Sequence, residues 1–152
     1  MSQKTPIRIF IVDDDKLLTA ALEQHIKNQI ALPFEIKIFH NGNDVLKRLY
    51  DNKPDIVFLD YNFGKNSIDN VFQRNGLSVL KKLMFRCPYT TVVMISSQKN
   101  INIANETIEN GAVKYIEKNE EMFPSVSDFL KTFIAENTIE KKIFWKRLSD
   151  AI

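Results

Sequence analysis

One cysteine, Cys87, is all the sulfur chemistry this chain of 152 residues offers, so an internal disulfide and a thiolate metal cluster are both excluded. Placed just before Pro88, it reads as a small buried hydrophobe. Neither sign of charge is in great excess. Lys and Arg number 21 against 19 Asp and Glu, a formal net charge of +2. So small a balance argues against nucleic acid or an anionic membrane as the main partner. No apolar run approaches the length of a membrane span, and the opening MSQKTPIRIF lacks the apolar centre of a signal peptide. There is no low-complexity tract and no repeat of fixed period. What remains is the expectation of one globular, cytoplasmic domain, with 44% hydrophobic and 26% charged residues and enough length to bury a core.

Against these absences stand three short apolar runs, IRIFIV (7–12), DIVFLD (55–60) and TVVMIS (91–96). Their nearly unbroken β-branched and apolar character suits parallel strands covered on both faces. EIKIF (35–39) and VKYIE (113–117) are weaker strands. Helical patterns lie between. Leu17, Leu18, Ala21, Leu22, His25 and Ile26 are expected on one helix face; Val45, Leu46, Leu49 and Tyr50 mark a second helix, and Leu77, Leu80, Leu83 and Met84 a third. Residues 101–110 form a weaker fourth, stopped by Gly111, and Val126, Phe129, Leu130, Phe133 and Ile134 a fifth. The apolar phase breaks after Ile134, and Asn137 with Glu140 resembles a capping box, so a separate or kinked last helix is expected. Strand and helix thus alternate five times. Right-handed crossovers between parallel strands put the helices on both sides of one sheet, a doubly wound α/β fold.

In such sheets ligands bind beyond the carboxyl ends of the strands. That edge explains an otherwise costly stretch, FIVDDDKLL, in which Asp13, Asp14 and Asp15 follow the first strand. Two carboxylates about 4 Å apart repel by on the order of 4 kcal/mol at an effective dielectric near 20. Asp60 ends the third strand, Ser96 the fourth, and Lys118 follows the fifth, so carboxylates scattered in sequence converge in space. A hard dication such as Mg²⁺ neutralises such a group with oxygen ligands. With the ammonium and hydroxyl beside it, the set matches a phosphoryl group held near a carboxylate, and aspartate is a nucleophile for phosphoryl transfer. Solvation in a turn or helix capping is the plain alternative for each Asp alone.

The segments IFIVDDDKLL, PDIVFLDYN, RNGLSVLKKL, TTVVMISSQ and GAVKYIEKN, in that order, resemble the response-regulator receiver domain of two-component signalling, over most of residues 6 to 119. The resemblance implies a flavodoxin-like sheet in the order 2-1-3-4-5 and makes Asp60 the phosphorylated aspartate. It implies Mg²⁺ bound directly by Asp14 and Asp60, through water by Asp13, and by the backbone carbonyl of Asn62. Ser96, where threonine is usual, and Lys118 would each bond a phosphoryl oxygen. Tyr115 would be the aromatic switch that moves with Ser96. Asp15 falls at a variable position and reads as solvated; Asn62 and Gln98 map to positions that set dephosphorylation rate. His25 and His40 lie too far apart in such a fold to form a metal pair.

Three departures from the family stand out: Asn119 where a cis proline usually follows the lysine, Gly64 in place of a proline, and a long loop, 64–75. From the loop's place beside the pocket, the expectation is that it shapes kinase or phosphatase access or shields the acyl phosphate. Residues 1–136 read as the receiver and 137–152 as a helical extension, with no room for a DNA-binding output domain. Its stretch KKIFWKR reads as an amphipathic helix with snorkelling lysines rather than a membrane or nucleic-acid contact, with dimerisation through Phe144, Trp145 and Leu148 a further possibility.

The expected function is therefore a stand-alone receiver, not an enzyme beyond slow self-dephosphorylation. It would take a phosphoryl group from a histidine kinase or phosphotransfer protein and act on a downstream protein. A receiver-like adaptor that is never phosphorylated is one alternative. A haloacid-dehalogenase-type phosphatase is another. It shares the Asp13–Asp15 spacing, but Leu17 stands where that family has a hydroxyl residue, and its later acidic pair is missing.

Overall fold

The computed structural model describes residues 5–63 and 75–151, with the side chains of 139–142 and 145 outside the description. Five strands, β1 (Ile7–Val12), β2 (Phe34–Phe39), β3 (Ile56–Asp60), β4 (Thr91–Ser96) and β5 (Lys114–Glu117), alternate with α1 (Lys16–Gln29), α2 (Gly42–Arg48), α3 (Gly76–Arg86), α4 (Ile101–Glu109) and α5 (Met122–Asp150). The strands form one parallel sheet in the order β2-β1-β3-β4-β5. The doubly wound fold expected from the alternation is the fold observed.

The central strands are apolar throughout because they have a core on each face. Period-two alternation sends Phe10, Val12, Val57, Leu59, Val92 and Met94 one way, onto Val45 and Leu46 of α2, its C-cap Leu49, and Leu77, Leu80 and Leu83 of α3. It sends Ile9, Ile11, Ile56, Phe58, Val93 and Ile95 the other way, onto Leu22 and Ile26 of α1 and Met122, Val126 and Leu130 of α5. Each such side chain, fully buried, contributes about 1.5–3 kcal/mol. Cys87 is buried in the first of these cores, as expected of a small hydrophobe.

Local chemistry sets the helix ends. Asp15 accepts the Leu18 N–H at 3.0 Å and caps α1, so the third acidic residue of the triplet is an exposed N-cap. Asn41, Asn75 and Asn100 cap α2, α3 and α4 in the same way. Gly111 stops α4 with φ 109°, a conformation that favours glycine.

Three expectations are corrected. Leu17 and Ala21 do not share the core face of α1; Leu17 is 84% exposed, and Thr19, Leu22 and Ile26 are the buried residues. Tyr50 is 76% exposed and carries the Arg86 guanidinium over its ring at 5.1 Å. Finally, α5 is one helix of 29 residues without a separate last segment. Asn137 does not cap a new helix: its Nδ2 donates to the Phe133 carbonyl at 2.8 Å, one turn back in the same helix. The segment 64–74, which holds Gly64 and nearly all of the long loop, lies outside the described residues.

Candidate functional site

Backbone hydrogen bonds continue past the strand ends and fix the site. Asp13 N–H donates to the Phe39 carbonyl (3.0 Å), Tyr61 N–H to that of Ile95 (2.9 Å), and Lys118 N–H to that of Ser96 (2.8 Å). The ends of β1, β3, β4 and β5 are thereby tied to their neighbours, and their side chains meet at one point. The Lys118 ammonium lies 2.7 Å from Asp13 Oδ2 and 3.2 Å from Asp60 Oδ1. Asp13 Oδ1 also accepts the Asp15 N–H (2.9 Å), and Asp60 Oδ1 that of Asn62 (3.3 Å). Asp13, Asp14 and Asp60 each present an oxygen, all within 4.8 Å of one another, with Asp13 and Asp60 buried and Asp14 exposed. Asp14, Asp60, Ser96 and Lys118 sit where their strands predicted, and Asp13 joins them.

One ammonium does not balance this acidity. Burial, then the charge of Asp13, pushes the Asp60 carboxyl up to about 7 against the pull of Lys118. Burial also raises Asp13, although its hydrogen bond to Lys118 works the other way. Burial alone would lower Lys118; its hydrogen bond to Asp13 and the charges of Asp60 and Asp13 outweigh that and hold it above the ordinary lysine value. A site that keeps a carboxyl half-protonated near neutrality has room for further positive charge. The donor set, three carboxylates with an open exposed side at Asp14, fits a hard, oxygen-seeking divalent cation.

The Lys118–Asn119 peptide is trans, as is every peptide bond among the described residues, and Lys118 reaches both carboxylates all the same. Ser96 is fully buried, and its Oγ accepts the Gln98 N–H at 3.1 Å. The Tyr115 hydroxyl donates to the Gln98 carbonyl at 2.6 Å, while its ring packs against the first core. Burial raises the phenol's pKa, opposed by the Ser96 hydroxyl beside it. Ser96 and Tyr115 thus hold the same residue, Gln98, by its N–H and its carbonyl.

Two contributors escaped the sequence reading. His40 Nδ1 lies 2.9 Å from the Asp13 carbonyl oxygen, donating to it from the end of β2. The signal was available in principle, since His40 follows the strand paired with β1. Gly76 opens α3 against the floor of the site. Its N–H donates to the Tyr61 carbonyl at 2.6 Å, and a Cβ there would run into the Asp60 carbonyl oxygen, with Tyr61 Cα 2.8 Å away. Only glycine permits that approach. A bridge between Asn62 and Asn75 lies beside it. The other histidine, His25, is engaged elsewhere, its Nε2 2.6 Å from Ser127 Oγ between α1 and α5.

Residues 9–123 match the family model described as the response regulator receiver domain. The chain belongs to that family. A protein-glutamate methylesterase/protein-glutamine glutaminase of Carboxydothermus hydrogenoformans is 34% identical over 140 residues, covering 89% of this chain and 37% of its own length. The receiver spans only 21% to 37% of the curated relatives first matched. Among solved structures, a CheY-like receiver domain protein from Methanospirillum hungatei JF-1 superposes with a TM-score of 0.74 at 18% identity, over 90% of this chain and 99% of that one. A Burkholderia pseudomallei response regulator, whose crystal structure carries a phosphorylated aspartic acid, a calcium ion and citrate, superposes at 0.63 and 17% identity, over 88% and 74%. At these identities the structural likeness speaks for the fold. No helix among the described residues of this receiver is long and apolar enough to cross a membrane.

Proposed function

We propose that this receiver accepts a phosphoryl group on Asp60 and signals by changing its protein contacts. The observation that carries the reading is the Lys118 ammonium set between Asp13 and Asp60 at 2.7 and 3.2 Å, in a pocket where burial and the charge of Asp13 raise Asp60 to about 7. An Asp60 carboxylate oxygen attacks phosphorus in line. The new bond is P–O; the bond broken is P–N of a phosphohistidine on a histidine kinase or phosphotransfer protein, whose imidazole leaves with the electron pair. Such transfer needs positioning and charge neutralisation more than covalent assistance.

Asp13, Asp14, Asp60 and the Asn62 carbonyl are the residues that would hold Mg²⁺, which when bound supplies charge neutralisation for the carboxylates and the incoming phosphoryl oxygens. Lys118 bonds one phosphoryl oxygen and the Ser96 hydroxyl another. Ser96 Oγ accepts the Gln98 N–H and keeps its own O–H to donate to the phosphoryl group, and Tyr115 is tied to the same Gln98. That shared partner is the link from the site towards the surface of α4 and β5. The chain would act through a protein target, and hydrolysis of its own acyl phosphate would be slow.

The test is intact mass after incubation with acetyl phosphate or phosphoramidate, with and without Mg²⁺, beside Asp60→Asn. A Mg²⁺-dependent gain of one phosphoryl group, absent in the variant, is expected. No gain from either donor, with Mg²⁺ binding established separately, would replace this reading with an unphosphorylated adaptor.

A further inference from the structure

A net charge of +2 hides a division between the sides of this molecule. Helix α4 exposes Glu106 and Glu109 and holds no cation. Helix α3 is the reverse: it has no acidic residue, and Lys81, Lys82, Phe85 and Arg86 are all exposed. Beside it α2 adds Lys47 and Arg48, and the loop after α2 adds Lys53. Among the described residues, Lys47, Lys53, Lys81 and Lys82 enter no ion pair. Asp51 is exposed nearby, but Asp44 is engaged by Asn41 in the first turn of α2, and Asp55 accepts the Arg8 N–H.

Aromatic side chains mark the same place. Phe85 is 89% exposed and Tyr89 98%. The Arg86 guanidinium is held firmly, donating from Nη1 to the Leu46 carbonyl at 3.1 Å and lying over the Tyr50 ring. Thr90 Oγ1 donates to the Pro54 carbonyl at 2.8 Å, which joins the loops before β3 and β4. Tyr50, Lys53, Phe85 and Tyr89 therefore gather at one pole, the amino-terminal edge of the sheet. Single apolar residues on a surface are ordinary; protruding aromatics grouped among unpaired cations are not.

The exposed rings call for an apolar neighbour and the cations for an anionic one. A lipid surface supplies both in layers, acyl chains beneath anionic headgroups. Single-stranded nucleic acid would stack its bases on open rings, and Arg86 already occupies a face of Tyr50. A bound peptide uses a groove or a sheet edge, whereas Phe85 and Tyr89 project outwards. The position suits a lipid surface too. The length of β3, about 16 Å at 3.3 Å per residue, separates this pole from Asp60, so contact here leaves the site end facing away.

We propose that the α2–α3 pole is a docking surface for an anionic lipid membrane, on which the chain lies without inserting a helix. The proposal does not depend on phosphoryl transfer to Asp60.

Co-sedimentation of the full chain with phosphatidylcholine vesicles, with and without about 30 mol% phosphatidylglycerol, tests it. Binding to the anionic vesicles alone is expected, falling at least about tenfold as salt rises from about 0.05 to 0.5 M. Lys82→Glu should weaken binding about tenfold. Lys131→Glu, an equal change of net charge at an exposed position on α5, should weaken it less than about twofold. Phe85→Ser combined with Tyr89→Ser should weaken it about tenfold even at low salt, and Phe85→Leu should keep it. Circular dichroism on each variant establishes folding. No binding to either vesicle, or equal losses from Lys82→Glu and Lys131→Glu, overturns the proposal. So does binding to a single-stranded oligonucleotide of about 20 nucleotides without binding to vesicles.

Discussion

Asp60 is the residue in which the opposing forces at this site are most directly measurable. Its folded pKa of about 7 lies well above the ordinary carboxyl value of 3.8. The folded state therefore binds a proton there that the unfolded state has already lost, and the stability this confers fades as pH rises through about 7. The metal-free Asp60→Asn protein should accordingly be more stable than the parent by about 1–3 kcal/mol at pH 8, with the difference shrinking towards pH 5. Urea melts of both proteins across that range, in chelator, measure it. The same proton competes with a cation. Below pH 7 the apparent Mg²⁺ affinity should fall about tenfold per unit, and above it level off, with proton release on binding detectable by calorimetry in two buffers. The carboxylates and Lys118 were legible in the sequence because each ends or follows an apolar run, and strand ends are where a parallel sheet gathers its ligands. His40 was not, because a hydrogen bond from a ring nitrogen to a neighbour's backbone carbonyl leaves no pattern in the residues themselves.

Among the elements, α3 is held tightly at its start. Its first residue, Gly76, lies so close to the end of β3 that a methyl group would meet the Asp60 carbonyl and Tyr61 backbone. Gly76→Ala should cost about 3 kcal/mol or more by forcing α3 off the sheet, read as a drop in the urea midpoint, and should slow phosphoryl uptake at Asp60 as well. The link between β4 and β5 is softer. Tyr115→Phe removes the 2.6 Å hydrogen bond to Gln98 and should speed amide exchange in residues 97–100 while costing only about 0.5–1.5 kcal/mol overall. The strands were visible as apolar runs, and α1, α2, α3 and the first part of α5 from their spacing, because the two cores dictate their buried faces. Helix α4 adds no residue to either core, and its pattern was correspondingly weak. The end of the fifth helix was not visible in this way. Past Ile134 no described side chain of α5 joins either core, so the change of apolar phase there imitated a break. Leu17 and Tyr50 were misplaced for a related reason: an apolar residue at a plausible spacing need not be buried, since a folded surface always keeps much apolar area.

For the molecule as a whole, the two cores on one sheet draw, among the described residues, on side chains up to Ile134 and on none after it. A chain ending at Thr138 should unfold cooperatively within about 3 °C of the parent when both are dilute, whereas one ending at Ser125 loses Val126 and Leu130 and should not fold. Thermal scans at about 1 µM and at a hundredfold higher concentration separate this from any effect of self-association. A different freedom resides at the other end of the sheet. The Asn62–Asn75 bridge and the Gly76–Tyr61 hydrogen bond clamp the chain on both sides of the span from 64 to 74. With its ends so joined, doubling the span adds only about 0.6 kcal/mol of closure entropy. A longer or shorter span should therefore leave Asp60 where the end of β3 puts it, so that the anchorage of the site and the content of the span are separate matters.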